Sequence, residues 1–335
     1  MPDTHSIAVL GAGSWGTALA LLLSRSHHTV QLWGHNSRHI RQLEQNCENR
    51  RYLPGAIFPA SLLPQADLAV ATQTAEVILI AVPSQVYGET LLRLKPHLHP
   101  GIGIAWATKG LEHTSGRFLH EVTRQILGQN HPAAVIAGPS FAKEVAAGLP
   151  TAITVASKDI DHVYWLAALL HGSTMRAYTS DDVVGVELGG AVKNVLAIAA
   201  GVSDGLGFGA NARAALITRG LAEMVRLGEA VGGNRHTFMG LTGVGDLVLT
   251  CTDDQSRNRR FGLAIGQGHT LTAARAAIGQ VIEGAIAAQA VMRLAQQYGI
   301  EMPIAEQVDK VLYHGQTPRQ AVETLLARNP KSEIP

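Results

Sequence analysis

A strand that runs straight into a glycine turn and then a helix opens this chain, and few architectures accept that order. Ser6-Ile-Ala-Val-Leu10 reads as a short buried strand, Gly11-Ala-Gly13-Ser14-Trp15-Gly16 as the turn, and Thr17 to Ser26 as the helix. This is the dinucleotide-binding fingerprint in the context it requires. Gly11 permits the tight turn, Gly13 lets backbone approach a pyrophosphate, and Gly16 lets helix and strand pack closely. The helix N-terminus offers free N–H groups and a partial positive charge to phosphates. The glycine pattern alone is weak evidence, because glycine loops are common. Its flanking elements give it force.

At 335 residues the chain exceeds a single ordinary core, so two domains are expected. A hydrophobic content of 46% against 16% charged residues describes a globular protein. The net charge of +1 gives no nucleic-acid footprint, and the run Arg257-Asn-Arg-Arg260 is too short to make one. Cys47 and Cys251 are the only cysteines and lie far apart, which leaves no zinc spacing, redox pair or disulfide framework. No metal site is expected. The N-terminus lacks a basic region before its apolar residues, so no secretory signal is read. No apolar run is read as approaching the ~18 residues that span a bilayer. A reducing, cytoplasmic setting without membrane insertion is the expectation.

The first half alternates strands and helices. Val30 to Trp33 is a second strand, and Glu76 to Val82 is a nearly continuous apolar run ending at Pro83, as buried parallel strands do. Gly103 to Ala107, Ala133 to Ala137 and Thr151 to Ala156 repeat the pattern, the last near a sheet edge. These strands run into polar or glycine-rich chemistry, where an open parallel sheet binds ligands. Strand signals largely cease after Ser180, and Ser180-Asp-Asp opens a helix running to about Val202. Helices follow over Ala210 to Val231, Ser256 to Ile265, Thr272 to Ala277, Gly284 to Gln297, Met302 to Tyr313 and Thr317 to Ala327, with a frayed tail after Asn329. The fold class is therefore α/β: a doubly wound, Rossmann-like dinucleotide-binding domain over residues 1–180, then an all-helical substrate and catalytic domain over 181–335.

NAD-binding proteins place an acidic residue at the end of the second strand for the ribose hydroxyls. Here that region reads Leu32-Trp-Gly-His35-Asn-Ser-Arg38, without a carboxylate. A carboxylate would repel a 2′-phosphate, whereas His35 and Arg38 can meet one. NADP(H) is favoured on these residues, with NAD(H) as the alternative. Arg38 also fits a solvated helix position, and Pro83 either shapes a loop past the cofactor ribose or simply ends its strand.

Four later features stand out. Thr108-Lys109-Gly110 sits at a strand end, where a lysine is costly unless it meets an anion or water. Gly138-Pro-Ser140-Phe-Ala142 is a strand-to-helix turn that can hold a phosphate or carboxylate, although Ser140 fits equally as a helix cap. Lys193 and Asn194 lie in mid-helix, with Gly189, Gly190, Leu196 and Ala197 beside Lys193. That face is small enough for a close approach, and lost hydration would lower the lysine pKa and ready it for proton transfer. The competing reading is a snorkelling lysine. Last, a glycine-rich loop from Gly240 leads to Asp246, which can orient an amine, and Ser256-Arg257-Asn258 offers donors for a phosphate monoester. Arg257 also fits an exposed helix position.

Taken in order, Gly11-Ala-Gly-Ser-Trp-Gly16, Thr108-Lys-Gly110, Gly138-Pro-Ser-Phe-Ala142, Val192-Lys-Asn194, Thr242-Gly-Val-Gly-Asp246 and Ser256-Arg-Asn258 resemble the bacterial NAD(P)-dependent glycerol-3-phosphate dehydrogenase family. The resemblance covers nearly the whole chain and uses several independent motifs. It implies that Lys193 is the general acid–base, and that Lys109, Gly138, Ser140, Asp246, Ser256, Arg257 and Asn258 surround the substrate with it. It implies a cofactor lined by Ser14, Trp15, His35, Lys109, Ala142, Arg257, Val281 and Glu283. The family often carries an arginine near the end of the second strand. Here His35 and Arg38 share that place, which leaves the degree of NADP preference open. The expected reaction is reversible reduction of dihydroxyacetone phosphate to sn-glycerol 3-phosphate for glycerophospholipid synthesis, in a cytoplasmic homodimer. Asn194 would help to polarise the substrate oxygen, and Asp246 would hold the ammonium. The alternatives are a β-hydroxyacid dehydrogenase of the same architecture, which would need a carboxylate clamp, and a non-catalytic NADP(H)-sensing module.

Overall fold

A computed structural model describes residues 4–329 and Ser332. The frayed tail expected after Asn329 lies almost wholly outside the described residues. Among the described residues there are ten strands: β1 Ser6–Leu10, β2 Thr29–Trp33, β3 Glu48–Asn49, β4 Leu53–Ile57, β5 Leu62–Gln65, β6 Val77–Ile80, β7 Gly103–Trp106, β8 Ala133–Ala137, β9 Thr151–Ala156 and β10 Met175–Ser180. Eight form one sheet in the order β10-β9-β8-β7-β6-β1-β2-β5, and β3 pairs with β4 as a separate hairpin. Every pair in the large sheet is parallel except β8 with β9, where Val135 faces Ala156.

The apolar runs make sense on both faces at once. Successive side chains point to opposite sides of a strand, so a strand covered on both sides needs an unbroken run. Ile7 and Val9 join Leu19, Leu23, Ile40 and Leu43 on one face, while Ala8 and Leu10 join Tyr87, Leu91 and Leu119 on the other. The chain leaves β1 toward β2 on one side and enters β6 on the other. The ends of β1 and β6 therefore flank the topological switch point, where open α/β sheets bind ligands.

Beyond the sheet, the helix Val183–Gly205 is the axis of the second half. Its side chains are buried nearly all round, and Asp182 caps it by accepting from the Gly185 N–H at 2.9 Å. At 23 residues it is long and apolar enough to cross a membrane, and 89% of its most apolar stretch is buried inside the protein. This corrects the expectation that no run comes near that length. The physical reason is that a helix buried on every side must be apolar on every side. Its contact with the helix Arg257–Gly266 is backbone on backbone: a Cβ at Gly201 would strike the Arg259 carbonyl oxygen, and one at Gly262 would strike that of Ile198.

The sequence reading missed β10, the β3–β4 hairpin and β5. Thr151–Ala156 stands one strand in from the edge, covered by β10. The first helix begins at Ser14 rather than Thr17. The glycine-rich loop before Asp246 is instead a π-helical turn, Leu241–Gly245, that feeds directly into the helix Asp246–Thr252. Replacing Gly262 by alanine is expected to lower stability by about 2 kcal/mol through overpacking. Urea unfolding measures it, and an unchanged midpoint would refute the close helix crossing.

Candidate active site

The glycine turn has the geometry its sequence requires. Gly11 holds φ +124°, and a Cβ there would stand 2.6 Å from the Ala81 carbonyl oxygen. A Cβ on Gly16 would collide with the Gly11 carbonyl oxygen, so the third glycine seats the helix on the strand. At Gly13 nothing lies within 4 Å of where a Cβ would be, which leaves open space in front of the helix Ser14–Arg25. No side chain caps that helix and no acidic residue sits in its first turn. The indole N–H of Trp15 is buried without a partner among the described residues. An uncapped helix start facing open space fits a dinucleotide pyrophosphate.

His35 and Arg38 are both exposed just past β2, and Asn36 between them caps the helix Ser37–Asn46. The β3–β4 hairpin adds an element not expected from its residues. Its Asn49 is fully buried and donates to the Ala12 carbonyl at 3.1 Å and to Thr17 Oγ1 at 2.8 Å, pinning the hairpin to the glycine turn.

Beyond the ends of β7 and β8 stands a cluster of two amines on one carboxylate. Lys193 Nζ donates to Asp246 Oδ1 at 2.5 Å and to Thr250 Oγ1 at 3.0 Å. Lys109 Nζ donates to Asp246 Oδ2 at 3.0 Å and to the Gly138 carbonyl at 3.2 Å. The side chains of Lys193 and Asp246 are only 6% and 2% exposed, whereas that of Lys109 is 17% exposed. The snorkelling alternative for Lys193 is therefore excluded. Small residues make the meeting possible: a Cβ on Gly189 would strike the Thr242 carbonyl oxygen, and Lys109 carbons lie 3.8–3.9 Å from a Cβ built on Gly190. Burial drives the Lys193 pKa down to about 7; Asp246 opposes this and the Lys109 charge adds to it. Burial opposes the Asp246 charge, but Lys109 and Lys193 together hold its carboxyl below the ordinary 3.8. Thr250 was missed as a partner of Lys193. Its spacing of four residues from Asp246 on one helix was the available signal.

Asn194 spends its amide oxygen and one of its two amide hydrogens on the helices around it. Its Nδ2 donates to the Gly190 carbonyl at 3.1 Å, and its Oδ1 accepts from Asn258 Nδ2 at 2.9 Å. Asn258 Oδ1 in turn accepts from the Gly284 N–H at 2.9 Å. The two amides thus tie three helices together, and Asn258 is engaged as a strut in addition to any ligand role. Ser256 caps its helix through Arg259 N–H. Ser140 is not a helix cap: its Oγ donates to the Gly138 carbonyl at 2.9 Å, and the helix Ala142–Ala146 starts after Phe141 without a side-chain cap. Ala142 is half-buried at the head of that short helix.

Arg257 donates to Gln280 Oε1 at 3.1 Å, and Glu283 accepts from Ser84 Oγ at 3.2 Å, which links the helical half to the segment after β6. Burial pushes the Glu283 carboxyl up to about 7, against Ser84 and Arg257. Val281 is exposed beside them. Gln280 and Ser84 are contributors that the sequence reading did not name.

Family profiles described as "NAD-dependent glycerol-3-phosphate dehydrogenase N-terminus" and "C-terminus" match residues 6–163 and 182–323. A protein of Aeromonas hydrophila named glycerol-3-phosphate dehydrogenase [NAD(P)+] is 57% identical, over 99% of this chain and 100% of its own. One of that name from Shewanella sediminis is 55% identical, over 100% of this chain and 99% of its own. The crystal structure of glycerol-3-phosphate dehydrogenase from Coxiella burnetii superposes with a TM-score of 0.95 at 52% identity, over 98% of this chain and 100% of that one.

Removing the shared carboxylate should be costly. Asp246→Asn leaves two amines without their counter-charge, and a loss of about 3 kcal/mol is expected at neutral pH. Because the Asp246 carboxyl is held below its ordinary value, its stabilisation is present above that range and is lost as pH falls through its folded value. Urea unfolding of the variant checks this, and a loss under about 1 kcal/mol would refute the carboxylate's role.

Proposed function

The chain belongs to the NAD-dependent glycerol-3-phosphate dehydrogenase family, and from that premise we propose which of its residues carry the reaction. It is an oxidoreductase that interconverts dihydroxyacetone phosphate and sn-glycerol 3-phosphate with NAD(H) or NADP(H). Family membership over the full length displaces the hydroxyacid-dehydrogenase and nucleotide-sensing alternatives. The observation that carries our site reading is the buried Lys193 amine held on Asp246 beside Lys109.

In the reducing direction, Lys193 in its ammonium form donates a proton to the substrate oxygen as negative charge develops there. Asp246 orients the amine and keeps it charged, and Thr250 accepts a second N–H. In the oxidising direction, the neutral amine takes the proton from the substrate hydroxyl. A nicotinamide dinucleotide held by its pyrophosphate on the glycine turn would supply or accept the hydride at the substrate carbon that bears this oxygen. Lys109 and Arg257 offer the cationic donors for the phosphate, joined by the Ser256 hydroxyl and the second amide hydrogen of Asn258, with Ser140, its hydroxyl held on the Gly138 carbonyl, facing the substrate through its oxygen. Binding energy from that remote group orients the reacting carbon. Residues 1–180 hold the cofactor and 181–335 supply the proton-transfer chemistry, with Lys109 reaching across. Gly11, Gly13, Ser14, Trp15 and Gly16 form the pyrophosphate cradle, and Ala142, Val281 and Glu283 line the cofactor elsewhere. We place the enzyme in the cytoplasm, supplying the glycerophospholipid backbone. As the assembly we propose a homodimer, for which Phe208, 41% exposed, and half-buried Leu216 and Ile217 offer an apolar surface.

His35 and Arg38, exposed and without a neighbouring carboxylate in the turn, support a preference for NADP(H). The ratio of dissociation constants tests it: NADPH should bind at least about tenfold more tightly, and the reverse order would refute the reading. Lys193→Ala should lower turnover by about 10²–10⁴-fold while leaving cofactor affinity nearly intact. In the intact enzyme, Lys193 is charged below about pH 7 and neutral above it. The reduction rate should therefore fall as pH rises through that value, and the oxidation rate should fall as pH drops through it. Profiles inflecting in the same sense for both directions would remove Lys193 from the proton transfer.

A further inference from the structure

Glu187 stands on the Lys193 helix six residues earlier, about 9 Å along the axis at 1.5 Å per residue. The proton transfer does not use it, yet it is 4% exposed. Its hydrogen bonds all go to the two ends of one excursion of the chain. Its Oε1 accepts from Trp106 Nε1 at 2.9 Å and from the backbone N–H of His120 at 3.0 Å. Its Oε2 lies 2.6 Å from His120 Nδ1. Trp106 is the last residue of β7, and His120 is the second residue of the helix Leu119–Leu127. Between them the chain leaves the sheet, presents Lys109 to Asp246, buries Leu111 and Phe118 in the helical core, and returns. One carboxylate oxygen thus gathers both stems of the Lys109 excursion, and it does so from the helix that carries Lys193.

We propose that Glu187 is a positioning residue for the reaction: by closing both ends of the 107–119 excursion onto the Lys193 helix, it holds Lys109 on the second oxygen of Asp246. This rests on the roles given above to Lys109 and Lys193. Burial raises the Glu187 carboxyl toward its neutral form, against His120 and Trp106. What the three contacts ask of position 187 is first an acceptor of the right length at Oε1. Two of the three contacts fall on Oε1, which an amide of the same shape retains.

The test compares Glu187→Ala and Glu187→Gln with the parent enzyme. In the ligand-free protein, acetic anhydride labelling of Lys109, mapped by peptide mass spectrometry, should run about fivefold faster in Glu187→Ala as the excursion opens. KM for dihydroxyacetone phosphate should rise about tenfold, with a smaller fall in kcat. Glu187→Gln should stay within about twofold of the parent in both readings. If the alanine variant fails to fold, Trp106→Phe, which deletes one donor, should show the same changes to a lesser degree. Unchanged Lys109 labelling in the folded variant overturns the proposal, as does a glutamine variant that behaves like alanine. The labelling needs no substrate, so it judges the clamp by itself. A parent enzyme inactive on dihydroxyacetone phosphate would instead count against the functional reading.

Discussion

A single carboxylate serving two amines governs how this molecule is built. Asp246 offers one oxygen to Lys193 and the other to Lys109, and neither lysine could be carried so far from water without it. The three residues come from three separate parts of the chain: a long helix, the segment after β7, and the start of a short helix. Each of those parts is then under a constraint of its own. The long helix must present glycines at 189 and 190, the segment after β7 must bulge out of the sheet, and the turn before Asp246 must press against Gly189.

The helical half meets these demands by replacing side-chain packing with backbone contact. Gly201 and Gly262 face carbonyl oxygens of the partner helix rather than side chains, so the two helix axes come unusually close. Asn194 and Asn258 then spend their amides on each other, on Gly190 and on Gly284, which links the three helices to one another. Interiors packed this closely respond to the addition of one methyl group. That stiffness suits a site whose chemistry depends on an amine held within hydrogen-bond distance of one oxygen.

Much of this was legible in the residues. The strands β1, β8 and β9 and the long helices follow from apolar periodicity and from caps such as Asp182 and Ser256, because burial on one or both faces writes itself into local sequence. The glycine turn was legible because each glycine answers a separate steric demand. Lys193, Lys109 and Asp246 were legible as expensive polar residues in apolar or glycine-rich settings. What stayed hidden depends on pairing across the chain. The edge strand β10, Met-Arg-Ala-Tyr-Thr-Ser, has exposed alternate residues and little apolar signal. The hairpin that Asn49 docks on the glycine turn is fixed by one buried amide with no local pattern. The pairing of Asn194 with Asn258 was hidden because neither residue's neighbours in sequence reveal that the other lies opposite it.

The reversal at β9 has a mechanical consequence. Because β9 and β10 run against the other six strands of the sheet, the chain finishes β10 at the end remote from the crevice. Only Asp181 and Asp182 separate that strand from the long helix, which then climbs the flank of the sheet until Lys193 arrives over the rim. A joint of two residues, one of them serving as the helix cap, is too short to act as a tether. The place of the Lys193 amine over the sheet is therefore metered by helical rise along the rod rather than by slack in a linker.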